Sequence, residues 1–244
     1  MTVQAYETFA YLDVEKTGSS FITGFLGEHV AERPTRERMH GMLEWSPPKD
    51  RVHVISVRDP VGAYASLYAF GCMGKGAMAG SIRRSGNGGL YTGRPEGLSG
   101  WLEFVLDPRN ARHLDPRGYR WSGAHRCAGI MSFRIARLAV PNPLLRFRRA
   151  RTPEEFLAVY DRYGVIDETI RMETLREDLE AFVRRYEGRI RWRRPADEVI
   201  AALWREHPRN MSTGLDRDEL RRIAGRHRAD ILDREPLLTR RFGY

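Results

Sequence analysis

Residues 9–20 read Phe9-Ala10-Tyr11-Leu12-Asp13-Val14-Glu15-Lys16-Thr17-Gly18-Ser19-Ser20, and their order decides the architecture. The apolar and aromatic run 9–14 predicts a short strand. Gly18 turns the chain, and the spacing beyond it predicts a helix from about Ser20 to Arg33. Further along, Val52-His53-Val54-Ile55-Ser56-Val57 is β-branched and apolar, as a buried strand is. A helix over 61–70 follows it. Two strand–loop–helix units in succession predict an α/β fold, with a short central parallel sheet flanked by helices.

The chain has 244 residues, enough for one substantial domain spanning 1–244. Apolar residues make up 41% and charged residues 30%, which excludes collagen-like, disordered and disulfide-scaffold chains. No run approaches the roughly 18 apolar residues of a membrane helix, and no signal-peptide pattern opens the chain. Cys72 and Cys127 stand far apart and offer neither a metal spacing nor a disulfide framework. A reducing cytoplasm is the expected setting. The sequence carries no signal for oligomeric state.

The net charge is +9, which fits nucleotides, other polyanions or acidic substrates as partners. Of 41 basic residues only three are lysine, namely Lys16, Lys49 and Lys75. A lysine in so arginine-rich a chain marks a place where a guanidinium would not serve, and Lys16 is the informative one.

Ten of the 23 glycines fall in residues 71–100, so this stretch predicts an irregular surface loop or a lid over a site. The second half reads as mainly helical. Thr152-Pro153-Glu154-Glu155 is a capping box with proline at the first helical position. A strand over 165–171 precedes a helix carrying Leu175, Leu179, Phe182, Val183 and Tyr186, which ends at Gly188. Another helix covers about 196–206. The last starts at Asp216, with Leu220, Ile223, Ala224, His227 and Ile231 on one stripe.

The chemistry concentrates at two turns. In Glu15-Lys16-Thr17-Gly18-Ser19-Ser20 glycine lets backbone amides point inward, the new helix offers unpaired N–H groups and a positive dipole end, and hydroxyls and an ammonium add donors. Together these cradle a phosphate or sulfate. The pattern is not a Walker A loop, because lysine precedes the glycine. Directly after the second strand comes Arg58-Asp59-Pro60, with Ser66 on the helix beyond. Arg58 can hold a phosphate bidentately. Two anion sites at the carboxyl ends of neighbouring strands suit a nucleotide with two separate charged groups.

Lys16-Thr17-Gly18-Ser19-Ser20 resembles the 5′-phosphosulfate loop of sulfotransferases that use 3′-phosphoadenosine-5′-phosphosulfate (PAPS). Arg58, Asp59, Pro60 and Ser66 resemble that superfamily's 3′-phosphate site. The chain is most similar to the branch of heparan sulfate 2-O-sulfotransferase and related carbohydrate sulfotransferases. Ile170-Arg171-Met172-Glu173-Thr174-Leu175 with Asp178 is similar to the branch's strand-into-helix segment. Asn210-Met211-Ser212-Thr213 is similar to its loop over the cofactor, and Phe242-Gly243-Tyr244 to its ending. The similarity covers most of 9–70 and 165–244, and not 71–150.

The resemblance implies a three-layer P-loop-like fold and transfer of a sulfuryl group from PAPS to a hydroxyl, less readily an amine, of a carbohydrate or other small acceptor. The acceptor can be anionic, and 3′,5′-adenosine bisphosphate is the other product. The cofactor would meet Lys16, Thr17, Gly18, Ser19, Ser20, Arg58, Ser66, Asn210, Ser212 and Thr213. No metal is required, and no membrane span or nucleic acid is implied.

An acceptor hydroxyl needs a general base, and histidine titrates near the working pH. His53 lies in a buried strand; His29, His207 and His227 suit packing or surface roles. His40, in Met39-His40-Gly41, has the His-Gly context of the branch's catalytic histidine and is the expected base, with His125 second. A carboxylate base would move the role to Glu44 or Glu15. Lys16 would donate to the leaving bridging oxygen. Two other classes stay open. A phosphotransferase would need Mg²⁺ and a Walker-type loop. A nucleic-acid-binding protein would use Arg189-Ile190-Arg191-Trp192-Arg193-Arg194.

Overall fold

The computed structural model describes residues 2–39, 48, 50–115, 118–205 and 215–244. Strands β1 (Thr2–Ala5) and β2 (Phe9–Asp13) form a hairpin, and helix α1 (Ser19–His29) follows. Next come β3 (Arg36–Met39), β4 (Val52–Val57) and α2 (Pro60–Cys72). A helical stretch then holds α3 (Ala77–Ile82), α4 (Gly97–Leu106), α5 (Ala111–Leu114), α6 (Ile130–Ala139), α7 (Pro143–Arg146) and α8 (Pro153–Tyr163). Strand β5 (Glu168–Arg171) is followed by α9 (Leu175–Arg185), α10 (Ala196–Arg205), α11 (Arg217–Arg226), α12 (Arg228–Arg234) and α13 (Pro236–Arg240).

These elements group into two compact units. The first comprises Met1–Arg58, Leu138–Pro141 and Val165–Met211; the second comprises Asp59–Arg137, Asn142–Gly164 and Ser212–Tyr244.

The first unit is built on a five-stranded sheet of order β3-β1-β2-β4-β5. Strands β2, β4 and β5 run parallel, with Tyr11 opposite Val54 and Ser56 opposite Ile170. Strand β1 runs antiparallel to both β2 and β3. The sheet is therefore mixed, which corrects the expected all-parallel one. A short turn, closed by Tyr6 N–H donating to Phe9 O at 2.8 Å, suffices for an antiparallel pair, whereas a parallel pair needs a crossover. Every residue of β4 is buried, which is why its sequence is mostly apolar rather than alternating, with His53 and Ser56 as buried polar exceptions. Phe9, Tyr11, Val54 and Ile170 on one sheet face pack with Phe25 of α1, Phe182 of α9 and Leu203 of α10.

Helix α1 ends at His29, four residues before the expected Arg33. Backbone pairing takes over: Val30 bridges Trp192, Ala31 N–H donates to Arg191 O, and Arg193 N–H donates to His29 O, both at 2.8 Å. Helices α9 and α10 lie where the apolar spacing predicts them.

The second unit is helical. Asp59 caps α2 by accepting from Gly62 N–H at 2.8 Å, and Pro60 takes the first helical position. Residues 71–100 are not an irregular loop as expected. They contain α3, tight turns over Arg83–Asn87 and Gly88–Leu90, and the start of α4. Met78, Ile82 and Leu98 from this stretch are buried. Its glycines serve close packing as much as turning; at Gly71 a side chain would collide with the Tyr91 ring. The capping box forms at α8, with Thr152 Oγ1 accepting from Glu155 N–H. Asp216 caps α11 through Asp218 and Glu219 N–H groups. The single helix expected from there breaks at His227, whose Nε2 lies 3.0 Å from Ser99 Oγ, and α12 and α13 follow.

Candidate functional site

The turn between β2 and α1 has a distinctive backbone. Lys16 has φ 72° and Gly18 has φ 84°. Among the described residues only Lys16 and Asn142 adopt positive φ without being glycine. Such a conformation costs about 1–3 kcal/mol and tends to occur where function needs it. Gly18 is required twice over: its φ is left-handed, and a Cβ there would stand 2.6 Å from Met172 Sδ. Left-handed residues flanking Thr17 curl successive N–H groups towards one side, an arrangement that favours anions. Gly18 is the N-cap of α1 and no side chain caps the helix. The Ser19 and Ser20 N–H groups have no intrahelical carbonyl to meet, and the positive helix end adds to their pull on an anion.

A buried chain of hydroxyls fixes this turn. Thr17 Oγ1 donates to Val14 O at 2.7 Å. Thr17 Oγ1 is also 2.6 Å from Ser56 Oγ, which is 2.9 Å from the Tyr11 hydroxyl. Thr17 has only one proton to give, and Val14 O takes it. Ser56 must then donate to Thr17, and Tyr11 to Ser56. Burial, with Asp13 nearby, pushes the Tyr11 phenol well above its usual pKa, so it stays a donor. Thr17 is accordingly a structural anchor through its side chain, and only its backbone amide is left for a ligand.

A hydrogen bond from Ser19 lowers the Asp13 pKa against the larger effect of burial. Burial raises the Asp13 pKa, with Glu15 adding a smaller push, and Asp13 Oδ1 is buried with no partner among the described residues. Ser20 is exposed and keeps its hydroxyl for a ligand.

Arg58 follows β4, the parallel neighbour of β2. Its Nη1 donates to Lys16 O at 3.2 Å, so the two predicted anion motifs are physically joined. Both side chains are half-buried at the carboxyl ends of adjacent parallel strands, where ligands of open α/β sheets bind. Arg171 ends the third parallel strand, β5, with its N–H donating to Asp178 Oδ2 at 2.7 Å. Sequence reasoning gave Arg171 no role of its own. The signal was present: an arginine closing the strand Glu168-Thr169-Ile170-Arg171. Tyr11 and Ser56 were also passed over, although Ser56 is a small polar residue inside an otherwise apolar strand.

Ser66 lies half-buried on α2, in the second unit. Glu15 is half-buried within the loop. His125, the second candidate base, sits in a single turn over Ala124–Arg126 of the second unit. Burial lowers its pKa most; a hydrogen bond with the Tyr119 backbone raises it, and Arg126, Arg120 and Arg234 lower it further. His40, Glu44, Asn210, Ser212 and Thr213 lie outside the described residues.

Among the described residues no helix is long and apolar enough to cross a membrane, and no cluster of three His, Cys, Asp or Glu side chains is placed to hold a metal ion. The chain has no significant match among family models, curated proteins or solved structures, so its function is to be argued from these residues and their geometry.

Proposed function

We propose that the chain is a PAPS-dependent sulfotransferase with a three-layer P-loop-like fold, acting on a hydroxyl, less readily an amine, of a carbohydrate or other small acceptor. The reading rests most on one observation: Arg58 at the end of β4 holds the carbonyl of a left-handed Lys16 at the end of β2. Two cationic groups on one rigid joint suit a nucleotide charged at both its 5′ and 3′ ends.

PAPS, when bound, supplies an activated sulfuryl group and a leaving group on which negative charge grows. The amides of residues 17–20 and the Ser20 hydroxyl suit the 5′ end. Lys16 brings a mobile ammonium, able to follow charge from a terminal to a bridging oxygen as a rigid guanidinium cannot. Arg58, whose Nη1 donates to Lys16 O, would meet the 3′-phosphate in this reading. The family resemblance adds Ser66, Asn210, Ser212 and Thr213 as cofactor contacts and His40 as the base that takes the acceptor's proton. The net charge of +9 favours a doubly anionic cofactor and tolerates an anionic acceptor.

The test is transfer of labelled sulfate from PAPS to a panel of sugar and alcohol acceptors. The wild-type chain should transfer, and Lys16→Ala should lose about 10²–10³ in rate. Phosphoryl transfer from ATP with Mg²⁺, and none of sulfate from PAPS, would replace this reading with a phosphotransferase.

A further inference from the structure

The segment Arg189-Ile190-Arg191-Trp192-Arg193-Arg194 has no part in the proposed reaction, yet it is built as a site. Residues Glu187–Ala196 line an open cavity of about 500 Å³. The lining carries four arginines against one carboxylate, that of Glu187. Its backbone is pinned by the residues that end α1, through the Val30–Trp192 bridge and the bonds of Ala31 and Arg193. A fixed backbone holds the arginines at fixed roots.

The four arginines are not equivalent. Arg193 Nε donates to Val30 O at 2.9 Å, and Arg191 meets Glu7 at 3.4 Å in an exposed pair of little strength. Arg189 and Arg194 are exposed, and their side chains have no hydrogen bond or ion pair among the described residues. Helix α10 starts at Ala196, on the cavity wall, where Asp197 and Glu198 in its first turn offset its positive end.

Trp192 supplies a separate observation. Its ring packs against Phe25 and Phe182, at 6.3 Å from each. Its Nε1 is buried and has no partner among the described residues. A buried donor left unpaired is unfavourable; an outward turn of the ring would bring Nε1 to the cavity that Trp192 helps to line, where a ligand oxygen would satisfy it.

We propose that this cavity binds a small polyanion, a molecule carrying two or more phosphate or sulfate groups. Arg189 and Arg194 hold its anionic groups by bidentate bonds, and Trp192 Nε1 donates to one oxygen. A cavity of this size takes a small molecule. This assignment does not depend on the sulfotransferase reading.

The experiment is calorimetric titration of the full chain with tripolyphosphate and, in a second arm, with a doubly sulfated disaccharide, which separates phosphate from sulfate ligands. At least one probe should bind saturably. Arg189→Ala/Arg194→Ala should weaken it at least tenfold, and Trp192→Phe should weaken it several-fold with the ring retained. Arg148→Ala/Arg149→Ala, which removes an exposed basic pair elsewhere on the chain, should leave it unchanged. Absence of saturable binding by both probes, equal affinity in the Arg189→Ala/Arg194→Ala variant, or an equal loss in Arg148→Ala/Arg149→Ala would each overturn the proposal. So would a single-stranded 12-nucleotide DNA binding more than tenfold tighter than tripolyphosphate, because the surface would then be a nucleic-acid interface.

Discussion

Arg58 Nη1 donates to the main-chain oxygen of Lys16 at 3.2 Å, so the residue that closes β4 steadies a left-handed lysine in the turn after β2. One guanidinium thereby serves the loop and, in the proposed function, the 3′-phosphate. Charge-assisted hydrogen bonds contribute about 1.5–3 kcal/mol each, or roughly ten- to a hundredfold in affinity. Arg58→Ala should therefore weaken binding of 3′,5′-adenosine bisphosphate by at least tenfold, and 5′-AMP much less. Isothermal titration of the variant against wild type measures both. Equal losses for the two ligands would confine Arg58 to holding the loop.

The directed chain from Tyr11 through Ser56 and Thr17 to Val14 O predicts a stability effect of its own. In Thr17→Val the shape is kept, but Val14 O loses its donor and the buried Ser56 hydroxyl loses its acceptor. Each change of this kind costs about 1–3 kcal/mol. Melting should fall by several degrees, since 1 kcal/mol corresponds to roughly 2–4 °C at this chain length. Thr17→Val/Ser56→Ala should be destabilised by less than the sum of the single variants, because both break one network. Additive losses would show that the hydroxyls act independently.

His53 predicts a pH dependence. It is buried on β4, its N–H donates to Asp167 Oδ2 at 2.8 Å, and its Nδ1 lies 3.6 Å from the same oxygen. Burial outweighs the pull of Asp167, so the imidazole pKa is lowered from 6.5. The folded chain then binds the proton more weakly than the unfolded one. The contribution of His53 is present above about pH 6.5 and is lost as pH falls through the lowered pKa. Asp13 and Glu235, whose pKa values burial raises, act in the opposite sense, losing their contributions as pH rises through the folded values. The comparison of His53→Val with wild type isolates the histidine. Thermal melts between pH 7.5 and 5 should fall less steeply in the variant; parallel curves would contradict the assignment.

Glu235 is a buried carboxylate that organises the second unit. Its Oε1 accepts from the Tyr64 hydroxyl at 2.5 Å and from Met131 N–H at 3.1 Å, and its Oε2 accepts from Ser132 N–H at 2.6 Å. It thus caps the first turn of α6 from a distant part of the chain. Both oxygens face donors, so Glu235→Gln must set an NH₂ group against an N–H or an O–H. A loss of about 3 kcal/mol is expected, read by denaturant unfolding. Wild-type stability in this variant would show that the carboxylate is dispensable.

The contrast between these residues explains how far the sequence could be read. Strand β4 was legible to the residue, because a fully buried strand is mostly apolar, whereas the helix expected over 61–70 begins one residue earlier, at Pro60, where Asp59 caps it. The Lys16 and Arg58 motifs were legible as chemistry. Their hydrogen bond was not, since it depends on the register of β2 beside β4. Strands β1 and β3 escaped because four residues such as Arg36-Glu37-Arg38-Met39 show no apolar alternation. Glu235 reads as one more charged residue near a helix end. Only the tertiary fold brings it to Met131 and Ser132, more than 100 positions away. The anchoring role of the Thr17 side chain escaped for the same reason: its partner Ser56 is 39 residues distant.

The most direct test of the central claim is a pair of calorimetric titrations of the wild-type chain in magnesium-free buffer, one with 3′,5′-adenosine bisphosphate and one with 5′-AMP. The account predicts saturable binding of the bisphosphate and at least tenfold weaker binding of 5′-AMP. No binding of the bisphosphate, or equal affinity for the two nucleotides, would contradict it.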